Sequence, residues 1–337
     1  MRSALSDVSV VIVTYKGDGM LKDCLDSLAA TCGTEPQIVV VDNSPSEATR
    51  EIASAFPNAV YVPSPGNPGF AGGNNRALPH CDRPYILLLN NDTVIHSRAS
   101  IDRLVEFLDA HPTCGVAQGS MVLPQSNGLL GGCGSFLTPF GFLYSPGFGV
   151  PDAPDFHAPY PCFSAIGAFM MFRRELLPAV GRMLFRTHFW SYYEETDFCH
   201  RVWLAGAEVW YVPTPPIDHL CGKTSGRFVR AEIMGRFLRN QYFSLSANLC
   251  AWSRLFVLPC LASVILGHGL LHLLHGDTAQ FKANLRALKS IRHGKRRILA
   301  ARRQAARIRR VSDSAIFRKV LRVPSLSYFL RSLRAHG

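Results

Sequence analysis

The chain has 337 residues, enough for one large domain or a domain with an appendage, and 47% of them are hydrophobic. That content, with 18% charged residues, excludes a disordered chain. The net charge of +12 is segregated: residues 276–337 hold 17 Lys and Arg against Asp277 and Asp313, which leaves the rest of the chain at −3. A near-neutral body with a strongly basic end points to a charged partner surface for that end. The ten cysteines form no CxxC pair and no metal-ligand spacing. The start of the chain runs within a few residues into Val8–Val13, too short for a signal sequence with its flanks. Reduced, buried thiols in a cytoplasmic compartment are the expectation.

Val8–Val13 is β-branched and predicts a first strand ending at Thr14-Tyr15. Met20, Leu21, Cys24, Leu25 and Leu28 then recur at helical spacing. Ile38–Val41 is a second buried strand, ending at Asp42-Asn43-Ser44, and Ala59–Val62 a third. Strands alternating with helices across short links predict a parallel sheet with right-handed crossovers. Asn67-Pro68-Gly69-Phe70-Ala71-Gly72-Gly73-Asn74-Asn75-Arg76 is a glycine-rich turn opening a short helix. It is neither a Walker loop nor a GxGxxG fingerprint, but its glycines let backbone approach a ligand and a helix N-terminus attracts phosphate.

Leu87-Leu88-Leu89-Asn90-Asn91-Asp92-Thr93 is an apolar run stopping at oxygen-bearing side chains, as a buried parallel strand does. Ligands of open α/β sheets sit beyond such strand ends, where one carboxylate among amides suits a hard divalent cation against a phosphate. The plain alternative is an Asn-rich turn. Ala99–Ala110 follows as an amphipathic helix and Gly115–Val122 as another strand. Residues 127–160 are rich in Gly, Pro and aromatics with little periodicity, a long loop of the kind that is functional or mobile. Phe163–Arg173 returns as a strand. Glu194, Glu195 and Asp197 then open a helix running to Leu204; acids there also complement the helix dipole. Glu208–Val212 is one more strand, leading to a proline-stiffened loop that presents His219.

In this order and spacing the motifs resemble family 2 glycosyltransferases of the GT-A fold, nearest the rhamnosyltransferase-like branch. The carrying segments are Val11-Ile12-Val13-Thr14-Tyr15, Val41-Asp42-Asn43-Ser44, Asn67–Asn75, Leu88–Thr93, Ile166-Gly167-Ala168-Phe169-Met170, Glu194–Phe198 and His219. The resemblance implies a Rossmann-like α/β domain over residues 7–245, a mostly parallel sheet flanked by helices, with a helical basic appendage over 246–337. It implies that Thr14, Tyr15, Asp42 and Asn43 line a nucleoside pocket. Asn67, Gly72, Gly73, Asn74 and Asn75 would pack on the nucleotide-sugar, beside Asn90 and Asn91. Asp92 and His219 would hold Mg²⁺ or Mn²⁺, with Mn²⁺ the better match to an imidazole. Two departures stand out: Asn90 replaces an acid common in the family's metal motif, and Glu195 stands where Asp is usual for the base. Glu195 is therefore the expected base, with Glu194 and Asp197 as alternatives.

The implied reaction is transfer of a sugar, with inversion, to a hydroxyl of a cell-surface or lipid-linked glycan. dTDP-rhamnose is the favoured donor; UDP- and GDP-sugars are the other possibilities. The competing readings are a catalytically silent sugar-nucleotide-binding scaffold and a nucleotidyltransferase, although no basic nucleotide loop stands near the N-terminus. Leu255–His275 has the length of a membrane span but contains Pro259, two glycines and three histidines, and residues 282–310 are basic and amphipathic. These features favour a helix lying in or against the inner face of the membrane, on anionic lipid, over one that crosses it; a solvated helical tail without a partner is the plain alternative. Nucleic acid is the disfavoured partner, because no other motif for it occurs.

Overall fold

The computed structural model describes residues 4–221 and 230–324. Strands β1 (Val8–Thr14), β2 (Gln37–Asp42), β3 (Ala59–Pro63), β4 (Tyr85–Asn90) and β5 (Thr93–Val94) are interleaved with helices α1 (Asp18–Cys32), α2 (Glu47–Ser54) and α3 (Gly69–Ala77). The middle of the chain adds α4 (Ala99–Ala110), β6 (Cys114–Gln118), β7 (Met121–Leu123), β8 (Leu129–Leu130), β9 (Phe136–Leu137), β10 (Leu143–Tyr144) and β11 (Tyr160–Pro161). β12 (Phe169–Arg173), α5 (Leu176–Ala179), α6 (Glu194–Leu204), β13 (Glu208–Tyr211) and β14 (Ile217–His219) come next. Helices α7 (Arg230–Asn248), α8 (Ala251–Leu274), α9 (Thr278–His293), α10 (Lys295–Ile308) and α11 (Asp313–Val320) end the described chain.

The main sheet has the order β11-β13-β6-β12-β4-β1-β2-β3. β3, β2, β1 and β4 are mutually parallel, while β12 runs antiparallel between β4 and β6. Both faces are covered, which explains the unbroken apolar runs of the central strands. On β1, Val11 joins a core with Leu88, Phe198 and Leu261; Val10 and Ile12 join a second core with Leu25, Leu104 and Leu108. The chain fills β2 and β3 on one side of β1 and then crosses to β4 on the other. That reversal opens a crevice at the carboxyl ends of β1 and β4.

Three local expectations change. Gly115–Val122 is two strands, β6 and β7, broken at Gly119-Ser120; a Cβ on Gly119 would meet the Phe169 ring at 2.2 Å. Phe163–Arg173 is strand only from Phe169, and residues 163–168 lead up to the cleft without joining a strand. The loop carrying His219 contains β14, which pairs with β5 and β7 in a small second sheet.

The C-terminal helices share the main core. α7 runs across residue 245, the expected domain limit, and Leu261, Ile265, Ile316 and Val320 lie in the same buried cluster as Leu88. Several basic residues of this region serve the fold. Arg302 donates to the Ser246 carbonyl (2.8 Å), Arg309 pairs with Asp313 (2.6 Å), Lys319 pairs with Glu208, and the Arg310 amide donates to the Leu204 carbonyl (2.7 Å).

Candidate active site

The crevice at the ends of β1, β2 and β4 is lined on one side by Thr14, Tyr15, Asn43, Asn67, Asn90, Asn91 and Asp92. Gly167, Trp190, Tyr192, Glu194 and Glu195 complete the lining, with His219 beside Asp92. The β1–β4 register puts Val13 opposite Asn90, so the polar residues that end the two strands emerge side by side. Asn91 Nδ2 donates to Thr14 Oγ1 at 3.0 Å, and Asn43 Nδ2 donates to the Gly69 carbonyl at 3.0 Å, fixing the first turn of α3 to the end of β2.

Asp92 and His219 come together although they lie far apart in the chain, because β14 pairs with β5 just past Asp92. His219 Nε2 stands 3.5 Å from Asp92 Oδ1 and 3.4 Å from Asn90 Nδ2, and both Asp92 and His219 side chains are nearly buried. Two donors about 3.5 Å apart and facing one cleft fit a single divalent ion, whose bonds to N and O are each roughly 2.1 Å. Among the described residues no group of three His, Cys, Asp or Glu side chains is placed to hold a metal. A cation here would take its remaining ligands from bound substrate and water.

The three acids of α6 separate by helical phase. Glu194 and Glu195 enter the cleft; Asp197 does not. Burial would raise Asp197, but Arg186 (3.0 Å) and Arg201 (2.9 Å) hold it well below the ordinary carboxylate range, and Asn248 donates to its other oxygen at 2.9 Å. Asp197 is thus a fixed anion inside the fold, and the alternative that made it the base is corrected. Asp197→Asn is expected to destabilise the protein by about 3–5 kcal/mol by stranding two buried guanidinium groups. A denaturant titration reads this as a lowered midpoint.

Burial pushes Glu194 well above its ordinary value, and its neighbour Glu195 adds to the effect; Glu194 Oε2 has no hydrogen-bond partner among the described residues. Burial also raises Glu195, to about 7, while its carboxyl stays open to the cleft. The deeper Glu194 therefore keeps its proton and Glu195 ionises first. A carboxylate that titrates near neutral pH inside a cleft is suited to general-base work.

Other predicted ligands are placed elsewhere. Asp42 closes the turn after β2, accepting from the Ser44 amide (2.9 Å), the Ser46 amide (3.2 Å) and the Tyr61 hydroxyl (3.1 Å). Gly72, Gly73, Asn74 and Asn75 lie along α3 behind the cleft wall. Gly73 packs on Val13 and Asn43, Asn74 donates to the Phe70 carbonyl, and Asn75 exchanges two hydrogen bonds with the Phe185 backbone. The glycine-rich segment shapes the wall through close packing, and its cleft-lining members are Asn67, Gly69 and Phe70. Sequence reasoning does not single out Trp190 and Tyr192 as wall residues. Their signal is the aromatic run directly before the acids.

A doubly covered sheet with its cleft at the β1/β4 reversal, ended by Asn90-Asn91-Asp92 and faced by a carboxylate pair, defines the GT-A class of fold. The chain belongs to glycosyl transferase family 2, whose family model matches residues 9–181, just over half of its length. It is 26% identical over 269 residues to the low-salt glycan biosynthesis hexosyltransferase Agl10 of Haloferax volcanii, covering 76% of this chain and 83% of that one. It is 20% identical over 103 residues to the O-antigen chain rhamnosyltransferase WbaN of Salmonella anatum, covering 30% and 33% of the two chains. In fold it resembles the mannosyltransferase PcManGT from Pyrobaculum calidifontis, solved with GDP-Man and Mn2+, at a TM-score of 0.53 and 17% identity over 90% of this chain and 84% of that one. The protein is a glycosyltransferase of glycan biosynthesis.

Proposed function

We propose that this glycosyltransferase moves rhamnose, carried on dTDP, to a hydroxyl of a surface-polysaccharide or lipid-linked glycan acceptor, with inversion. The observation that carries the reading is that Asp92, His219 and Glu195 line one cleft, with Asp92 and His219 3.5 Å apart. Thr14, Tyr15, Asn43 and Asn67 hold the nucleoside end. A divalent cation held by Asp92 and His219 would neutralise the departing diphosphate. Glu195 accepts the acceptor's hydroxyl proton as the new bond to the anomeric carbon forms and the bond to the diphosphate oxygen breaks. One displacement from the face opposite the leaving group inverts that carbon, and a second protein carboxylate is not required. The donor sugar rests on the motif resemblance and on the rhamnosyltransferase among the relatives. Titration calorimetry with dTDP-rhamnose, UDP-sugars and GDP-sugars in Mn²⁺ tests it: dTDP-rhamnose is expected to bind tightest, and preference for another nucleotide would overturn the donor assignment.

The reading extends to where the enzyme works. α8 buries Val257, Leu258, Leu261, Ile265 and Gly269 on one side, while Trp252, Leu255, Phe256, Leu270 and Leu274 are exposed on the other. Its only Asp, Glu, Lys or Arg is Arg254, which donates to the Leu249 carbonyl. α8 is long and apolar enough to cross a bilayer, about 36 Å at 1.5 Å per residue, and its packed side supports a helix lying along the surface. Exposed Phe140 extends the apolar surface from the β9–β10 hairpin, whose Gly141 would set a Cβ 2.8 Å from Val257. Exposed Lys282, Arg286, Lys295, Arg296 and Arg303 on α9 and α10 supply attraction to anionic headgroups, roughly 1 kcal/mol per residue near the surface. The protein is expected to float with anionic vesicles at low salt and less so at 1 M salt, where the Debye length is about 3 Å. Leu255→Asp with Phe256→Asp should abolish flotation. Equal binding to neutral vesicles would sink the electrostatic part.

A further inference from the structure

The segment between the two walls of the cleft is held in a backbone conformation that its side chains do not favour. Trp190, Tyr192 and Tyr193 have φ of 64°, 71° and 72°, in the left-handed region that L-residues avoid. Tyr193 immediately precedes Glu194 and Glu195, so this conformation sets the start of α6 and the aim of its carboxylates.

The restraint comes from one face of α7. Asn240 is buried, and its Nδ2 lies 3.1 Å from the Phe189 carbonyl, 3.2 Å from that of Ser191 and 2.7 Å from that of Tyr192. Its Oδ1 accepts from Arg239 at 2.8 and 3.0 Å, which fixes the amide's orientation. One turn earlier, the Arg236 guanidinium sits 4.1 Å from the Trp190 ring centre, and the Phe237 ring meets Tyr193 edge-on at 5.3 Å. The loop is also attached to the donor side: Trp190 Nε1 donates to the Asn67 carbonyl at 2.9 Å, and the Trp190 carbonyl accepts from the Ala71 amide at 3.1 Å.

We infer that Asn240 is the positioning residue of the base: it never lines the cleft, but it holds the 189–193 backbone in the conformation that aims Glu195 at the acceptor. The inference rests on the assignment of Glu195 as base. The two attachments divide the work. Trp190 is tied to the donor turn and to Arg236, so donor binding survives loss of Asn240. Tyr192 and the start of α6 depend on the Asn240 amide, so proton transfer does not.

Asn240→Asp is nearly isosteric and replaces the donor amide by an oxygen facing three carbonyls. It is expected to lower kcat at least tenfold while the donor Kd, titrated with the nucleotide diphosphate, stays within about twofold. The rising limb of the kcat/KM pH profile, expected near 7 in the parent, is read in Asn240→Ser, which adds no charge, and should move toward lower pH there as water reaches Glu195; in Asn240→Asp the new carboxylate opposes that shift. Glu194, Tyr193 and Cys199 on its own segment, Arg236 on α7, and Asp92 and His219 across the cleft are the other titratable or charged groups around it, and none of them is changed. A variant that is merely less folded would lose amplitude without moving the limb. Asn240→Ser, which keeps one donor, also gives the same kcat and Kd test if the Asp variant fails to fold. Parent-like kcat and an unmoved limb in folded Asn240→Ser would overturn the inference. Glu195→Gln run in parallel separates the two ideas: full activity there overturns the base assignment itself.

Discussion

Glu195→Gln is expected to keep donor affinity within about twofold and to lose transfer by roughly 10²–10⁴, the usual contribution of a positioned general base. The amide fills the same space and faces the same cleft but cannot take the acceptor's proton. The pH dependence has a fixed sign. The carboxyl of Glu195 is raised to about 7, so it is protonated and idle below that value and ionised above it. Parent kcat/KM should rise through pH 6–8, and the limb should vanish in Glu195→Gln. Transfer that survives intact in Glu195→Gln and fails in Glu194→Gln would move the base to the deeper carboxyl.

The second large effect is expected at Asp92. Asp92→Ala removes the carboxylate at the end of β4 that stands 3.5 Å from His219, and among the described residues no group of three His, Cys, Asp or Glu side chains is placed to hold the ion instead. Activity is expected to require added Mg²⁺ or Mn²⁺ and to fall by about 10³ or more in Asp92→Ala, since metal stabilisation of phosphoryl charge contributes several kcal/mol. Mn²⁺ binding measured by electron paramagnetic resonance provides a readout independent of turnover: the parent should bind Mn²⁺ in the presence of nucleoside diphosphate, and Asp92→Ala should not. Full turnover in excess EDTA would remove the metal assignment.

The strands that build the cleft were legible because their signals are local. β1, β2 and β4 are covered on both faces, so each is a continuous apolar run that stops where polar residues begin, and those residues are the site. The features that could not be read were set by distant partners. β14 is a strand because it pairs with β5 and β7, far earlier in the chain, and nothing in residues 213–220 alone says so. Glu195 and Asp197 look alike in sequence; Arg186, Arg201 and Asn248 decide that one stays in the core while the other faces the cleft. Arg201 stands four residues after Asp197, so part of that answer was available as helical spacing. The basic end read as a partner surface also supplies residues to the fold, because Arg302, Arg309 and Lys319 found acceptors on the body, Arg309 at the Asn248 carbonyl. Asn240 carried no signal at all, since its role exists only where α7 crosses the aromatic loop.

One cleft that activates both a nucleotide-sugar and the hydroxyl attacking it is the centre of this mechanism. The most direct measurement is release of nucleoside diphosphate from a panel of nucleotide-sugars in Mn²⁺, with water as the acceptor, read by phosphorus NMR, with proton NMR of the first-formed sugar. The expected result is release from dTDP-rhamnose ahead of UDP- and GDP-sugars, a product anomer opposite to the donor's, and loss of release in both Glu195→Gln and Asp92→Ala. A product with the donor's own anomeric configuration, or release undiminished in Glu195→Gln, would contradict it.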